Sequence, residues 1–160
     1  MKISILVLCL LVAAGSAVWA GDVLLSLSLD WMFNLKLGVE VPLAPWFALR
    51  ADLGGSFSGT IVGDLFAVLH AMPPSTPLRL ALLVGVPNAS IVPTCPPAGM
   101  VSFGGAILAG YRFTERFGMD LRVGAGFPLF FEEDRPMIQD LPDFPLGLWP
   151  DVTLSAFLRL

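Results

Sequence analysis

The sequence predicts an all-β fold: about eight short antiparallel strands closed up-and-down into a transmembrane β-barrel, preceded by a helical, cleavable signal peptide. Three observations predict it. The first is composition. The 160 residues are 56% hydrophobic and only 14% charged, an apolar surplus that a domain of this size has too little interior to hide. The second is a period-two alternation of apolar and small or polar residues that recurs from Leu25 to Leu160, as expected where successive side chains point to opposite faces of a strand. The third is the lack of a helical way across a membrane after the N-terminal segment. The uncharged stretch 80–111 is interrupted by Pro87, Pro93, Pro96 and Pro97, each of which removes a backbone donor. In lipid only helices and closed barrels satisfy every backbone group, so a barrel is left.

Residues 1–20 read as the signal peptide and 21–160 as the barrel. Met1-Lys2 is a short positive start, Ile3 to Ala14 an apolar core, and Val18-Trp19-Ala20 a small-residue ending. That three-part pattern predicts cleavage after Ala20, with Ala17 as the alternative. Cys9 lies inside this segment behind Leu8, which does not suit lipid attachment. Cys95 is then the one remaining thiol, which excludes an intramolecular disulfide and a cysteine-based metal site. The formal charge is −4, and loss of Lys2 with the signal makes it −4 − 1 = −5. No Lys/Arg run or basic patch exists, so no nucleic-acid partner is expected.

The strands follow in order. Leu25, Leu27, Leu29 and Trp31 alternate with Ser26, Ser28 and Asp30; Phe33 to Val41 alternates with Asn34, Lys36, Gly38 and Glu40. Phe47 to Phe57 alternates with Ala48, Arg50, Asp52, Gly54 and Ser56. A strand near Asp64–Ala71 is weak, because both its faces are largely apolar. Leu78 to Val86 alternates with Arg79, Ala81, Leu83 and Gly85. The clearest pair is 101–113 and 117–129, joined by Thr114-Glu115-Arg116 as a three-residue hairpin loop. The last strand sets Val152, Leu154, Ala156, Leu158 and Leu160 against Asp151, Thr153, Ser155, Phe157 and Arg159.

No charged residue falls on the apolar face of the seven clear strands. The other face carries Asp30, Asp151 and Arg159 together with Lys36, Glu40, Arg50, Asp52, Arg79, Arg112, Asp120 and Arg122, and these last eight are expected to pair inside as a charge network that fixes register and closes the lumen. The interior of an eight-stranded barrel is just filled by side chains, so the bulky Leu and Phe face does not fit there. The Gly, Ala, Ser and charged face does. The apolar face then meets lipid.

With the N-terminus on the periplasmic side, turns at Pro42–Pro45, Met72–Pro77 and Thr114–Arg116 share one end. Loops near Asp30–Met32, Ser58–Val62, Pro87–Gly99 and Glu132–Pro150 share the other, so the longest connections face outward. Trp31, Trp46, Tyr111, Phe113, Phe117 and Trp149 stand near strand ends and are read as membrane-interface aromatics.

The export signal, the Tyr111-Arg112-Phe113…Arg116-Phe117 hairpin and the alternating final strand resemble small bacterial outer-membrane barrels of the OmpA/OmpX/OmpW type. The resemblance covers residues 22–160 as a pattern. It implies the bacterial outer membrane as location, outer-membrane lipid as surroundings, and a barrel assembly machinery as partner during biogenesis. It also implies that Leu154, Ala156, Leu158 and Leu160 form the assembly signal, with Leu160 replacing the preferred phenylalanine.

Chemistry-bearing residues are few. His70, the only histidine, shares a strand face with Asp64; an interior polar contact is the reading taken, and a lipid-modifying enzyme using His70 is the alternative. No nucleophile elbow is present. Glu132-Glu133-Asp134-Arg135 with Asp140 and Asp143 makes an acidic loop without an EF-hand spacing. No cofactor, metal or catalytic residue is assigned. The function expected is non-enzymatic: a structural, surface-interaction or envelope-integrity role, with surface ligands, if any, meeting loops 87–99 and 132–150. The runner-up is a narrow passive pore or a lateral transporter for small apolar molecules. A soluble, secreted barrel is the outsider.

Overall fold

Eight strands form one closed barrel in a computed structural model that describes residues 23–56, 59–73, 75–92, 98–131 and 147–160. They are β1 (Leu24–Asp30), β2 (Leu35–Ala44), β3 (Phe47–Gly55), β4 (Ile61–His70), β5 (Leu78–Val92), β6 (Ala98–Arg112), β7 (Phe117–Phe131) and β8 (Trp149–Arg159). Each pairs antiparallel with its sequence neighbour, and β8 closes on β1 in a register running from Leu24↔Arg159 to Asp30↔Thr153. Closure leaves no strand edge unpaired, the condition that lipid imposes on a sheet. The proposed signal segment, Cys95 and the acidic residues 132–143 lie outside the described residues.

Turn chemistry separates β1 from β2, where one long strand would have preserved the same alternation. Asp30 Oδ1 accepts from the backbone N–H groups of Met32 (2.9 Å) and Asn34 (3.0 Å), and Phe33 N donates to the Asp30 carbonyl. Phe33 sits at φ 61°, the left-handed position that ends a three-residue hairpin loop. At the 114–116 loop Thr114 plays the organising part, its Oγ1 accepting from the N–H groups of Arg116 and Phe117.

The structure departs from the sequence reading in loop extent. The connection expected over Pro87–Gly99 is shorter, because β5 continues to Val92 and β6 begins at Ala98. Gly63↔Ala89 and Leu65↔Val86 bracket Asp64, so Pro87 and Asn88 stand opposite a single residue. This is a β-bulge, one of the few places where a strand accepts proline. Asn88, at φ 57°, donates its backbone N–H to Asp64 Oδ1 at 2.9 Å. Likewise β2 runs to Ala44 through an irregularity between Pro42 and Ala44, which narrows the expected Pro42–Pro45 turn to Pro45-Trp46.

Burial runs opposite to that of a soluble barrel. Leu37 is 69% exposed on the outer face, and Leu53, Leu65, Ile107, Val123 and Phe127 are exposed with it. Lys36, Arg50, Asp52, Asp120 and Arg122 are buried inside. One part of the lumen is apolar. Ala48, Phe66, Val68, Ala81, Leu83, Ala106 and Leu108 pack together, which explains why β4 carries apolar residues on both faces.

Candidate functional site: the ion-paired interior

The interior site begins with residues two apart on each strand, which the pleat sends to the same face. Lys36 and Glu40 come from β2, Arg50 and Asp52 from β3, Asp64 from β4, Arg79 from β5, Asp120 and Arg122 from β7, and Asp151 from β8. Pairing then fixes heights: Glu40 is opposite Arg50, Asp52 opposite Asp64, and Arg122 opposite Thr153.

The resulting contacts form a continuous ladder along the lumen. At the end where the termini meet, Arg79 Nη2 donates to Glu40 at 2.8 Å and Nη1 to Asp120 Oδ2 at 2.6 Å. Asp120 also faces Arg50 at 3.6 Å. Arg50 Nε donates to Asp52 at 3.0 Å, while its Nη2 reaches the hydroxyls of Ser26, Ser28 and Ser155. Asp52 is shared with Arg122, which also binds Asp64 (2.5 Å), Asp151 (2.8 Å) and Thr153 Oγ1 (3.0 Å). Asp64 is shared in turn with Lys36, whose Nζ lies 3.0 Å from Asp30. Two guanidiniums add ring contacts, Arg79 over Phe157 at 4.7 Å and Arg122 over Phe66 at 4.6 Å. Such shared, multiply bonded pairs are the arrangement in which buried charge is tolerable.

Seven of the eight charges singled out from the sequence are joined by these contacts. Arg112 lies at the rim, where its Nη2 donates to the Ser75 carbonyl in the β4–β5 turn at 3.1 Å and its backbone N–H to the Pro77 carbonyl. Three charged members lie outside that set of eight, Asp30, Asp64 and Asp151, and His70 adjoins the ladder at Glu40. Asp151 was legible from its phase. Asp64 was obscured by the apolar β4, and its ladder partners are Lys36 and Arg122, not His70. His70 Nε2 instead faces Glu40 Oε1 at 3.3 Å, an interior polar contact. Asn88, which lies near Lys36 Nζ at 3.5 Å, was hidden in the expected loop.

Among the aromatics, Trp46, Tyr111, Phe113 and Phe117 are exposed on the outside at the end where the termini meet. Tyr111 packs edge-on to Phe113, which stacks on Phe117. Trp31 is at the other end, its Nε1 donating to the Pro150 carbonyl. Trp149 corrects the expectation. It is 5% exposed, because it shares the inward phase of Asp151 and Thr153, and it packs against Trp31 at 5.9 Å. In β8, Leu154 and Leu158 are exposed, Ala156 is half-buried, and Leu160, exposed beyond the strand, donates its N–H to the Val23 carbonyl. Among the described residues no group of three or more His, Cys, Asp or Glu is placed to hold a metal ion.

The chain superposes on the crystal structure of the N-terminal β-barrel domain of Pseudomonas aeruginosa OprF with a TM-score of 0.58. The alignment covers 87% of this chain and 96% of that one at 14% identity. The chain has the fold of that barrel. This agrees with the OmpA-like resemblance read from the sequence. No protein-family model and no curated protein matches the sequence.

Proposed function

We propose that this protein is an outer-membrane β-barrel with a non-enzymatic role in the envelope, structural or in surface interaction, and an interior closed by its own ion pairs. The inverted burial carries the proposal. A continuous belt of exposed Leu, Ile, Val and Phe surrounds a lumen of buried charge, and large exposed apolar belts are unfavourable in water but expected in lipid. The fold shared with the OprF barrel domain supports the same reading. Trp31, Trp46, Tyr111, Phe113 and Phe117 would then lie at the two headgroup zones, and the final strand would serve as the assembly signal. Residues 1–20 would direct export and be removed.

The test is gel mobility of the mature protein in detergent, boiled against unboiled, followed by single-channel recording. A heat-dependent shift with no steady conductance is the expected result. Equal mobility would contradict the membrane barrel, and steady openings would replace the closed lumen with a pore. Against the enzymatic alternative, His70→Ala is expected to leave the cell's lipid A profile unchanged.

A further inference from the structure

The β6–β7 hairpin closes at the end where the termini meet, and its loop is held on both sides. Phe113 and Thr114 donate their N–H groups to the Phe117 carbonyl at 2.9 and 3.2 Å. The Thr114 hydroxyl oxygen accepts from the N–H groups of Arg116 and Phe117, and the Arg116 carbonyl accepts from the Arg159 N–H of the last strand at 2.7 Å. Two opposite charges stand on this fixed loop. Glu115 and Arg116 are exposed, and among the described residues neither side chain has an ion pair, hydrogen bond or ring contact. An aromatic ledge flanks them in the chain. Phe113, 57% exposed, meets Tyr111 edge-on at 5.4 Å and stacks on Phe117 at 6.1 Å. Exposed rings at strand ends favour the headgroup zone of a bilayer, which sets the two charges at headgroup height.

We infer that the 114–116 hairpin docks the headgroup of a phosphoethanolamine lipid, with Arg116 on the phosphate, Glu115 on the ammonium and the Phe113 ledge against the glycerol and upper chains. Charge complementarity selects this occupant. A guanidinium fork suits phosphate oxygens, and a carboxylate accepts from the N–H donors of a primary ammonium. A phosphocholine lipid offers Glu115 no N–H, and a phosphoglycerol lipid sets a net negative charge beside it. The inference rests on the membrane reading above and names the lipid that this end of the barrel would select.

The experiment uses the full mature chain folded in a non-ionic detergent. Phosphatidylethanolamine, phosphatidylcholine and phosphatidylglycerol with identical acyl chains are titrated in turn, and bound lipids are counted by native mass spectrometry. The phosphoethanolamine lipid is expected to bind about two- to fivefold more tightly than the phosphocholine lipid, the range for one exposed ion pair. Glu115→Gln should remove that preference. Arg116→Gln should weaken all three lipids by about two- to fivefold, because each carries the phosphate. Equal affinity for the phosphoethanolamine and phosphocholine lipids overturns the inference. So does a preference that survives Glu115→Gln, since it then belongs elsewhere on the barrel, and so does tightest binding of the phosphoglycerol lipid. Retention of the heat-dependent gel shift shows that each variant has folded. A barrel that keeps that shift but treats the lipids alike defeats this inference alone, whereas loss of the shift in the unaltered chain defeats the membrane reading beneath it.

Discussion

Arg122→Met removes the most highly connected charge in the barrel, and its cost follows from what each partner has left. The guanidinium, 1% exposed, serves Asp52, Asp64, Asp151 and Thr153 and covers the Phe66 ring. Without it, Asp52 keeps Arg50 and Asp64 keeps Lys36. Asp151 keeps only the Thr153 hydroxyl among the described partners. Methionine fills much of the volume, so the loss is chiefly an uncompensated buried carboxylate, about 3–5 kcal/mol. That is a large share of the ~5–15 kcal/mol that holds a typical domain together. Urea titration of the folded barrel in lipid vesicles, read by tryptophan fluorescence, measures it. Adding Asp151→Asn to Arg122→Met should restore about 2 kcal/mol, since a neutral amide no longer needs a counter-charge. A loss under about 1 kcal/mol for Arg122→Met, or no recovery with Asp151→Asn, would refute the claim that these pairs are coupled and dry.

Three further outcomes follow from the same geometry. A Cβ at Gly38 would overlap Asp52 Oδ1 and Ser26 Oγ, and Arg50 and Arg122 hold that carboxylate in place, so Gly38→Val should cost about 1–3 kcal/mol in the same titration. Phe33→Gly should relieve the left-handed strain in the β1–β2 loop and stabilise the barrel by about 1 kcal/mol, visible as a higher urea midpoint. Leu121→Arg, on the exposed face of β7, should cost about 2–4 kcal/mol in vesicles if that face meets hydrocarbon; a neutral effect there would favour water outside.

Strand positions and facing were legible because one signal, period two, recurs along the chain and pairs with strict segregation of charge. Loop boundaries were not, for a local reason. Pro87 and Asn88 read as loop residues by composition, yet a bulge accommodates a proline without an N–H and a residue at positive φ while pairing resumes beyond them. Trp149 was misplaced by residue type: a tryptophan at a strand end suggests an interface, but its phase with Asp151 already pointed inward. Which carboxylate meets which cation was beyond reach, because partners such as Lys36 and Asp64 or Arg122 and Asp52 are brought together across the lumen and not by neighbouring strands. Arg112 has the inward phase too and sits at the rim, where the Ser75 carbonyl of the β4–β5 turn accepts from it.

The central claim is that the apolar face of this barrel contacts lipid while the charged face is sealed. Spin-label scanning along β7 tests it most directly. Single cysteines are placed at each position from Phe117 to Phe127 of the mature chain in a Cys95→Ser background, and the folded protein is studied in lipid vesicles. Collision with lipid-soluble oxygen is expected to be high at Phe117, Met119, Leu121, Val123, Ala125 and Phe127, with little access for a water-soluble nickel complex. The intervening positions should be shielded from both. Higher nickel than oxygen access at the first set would place that face in water and contradict the account.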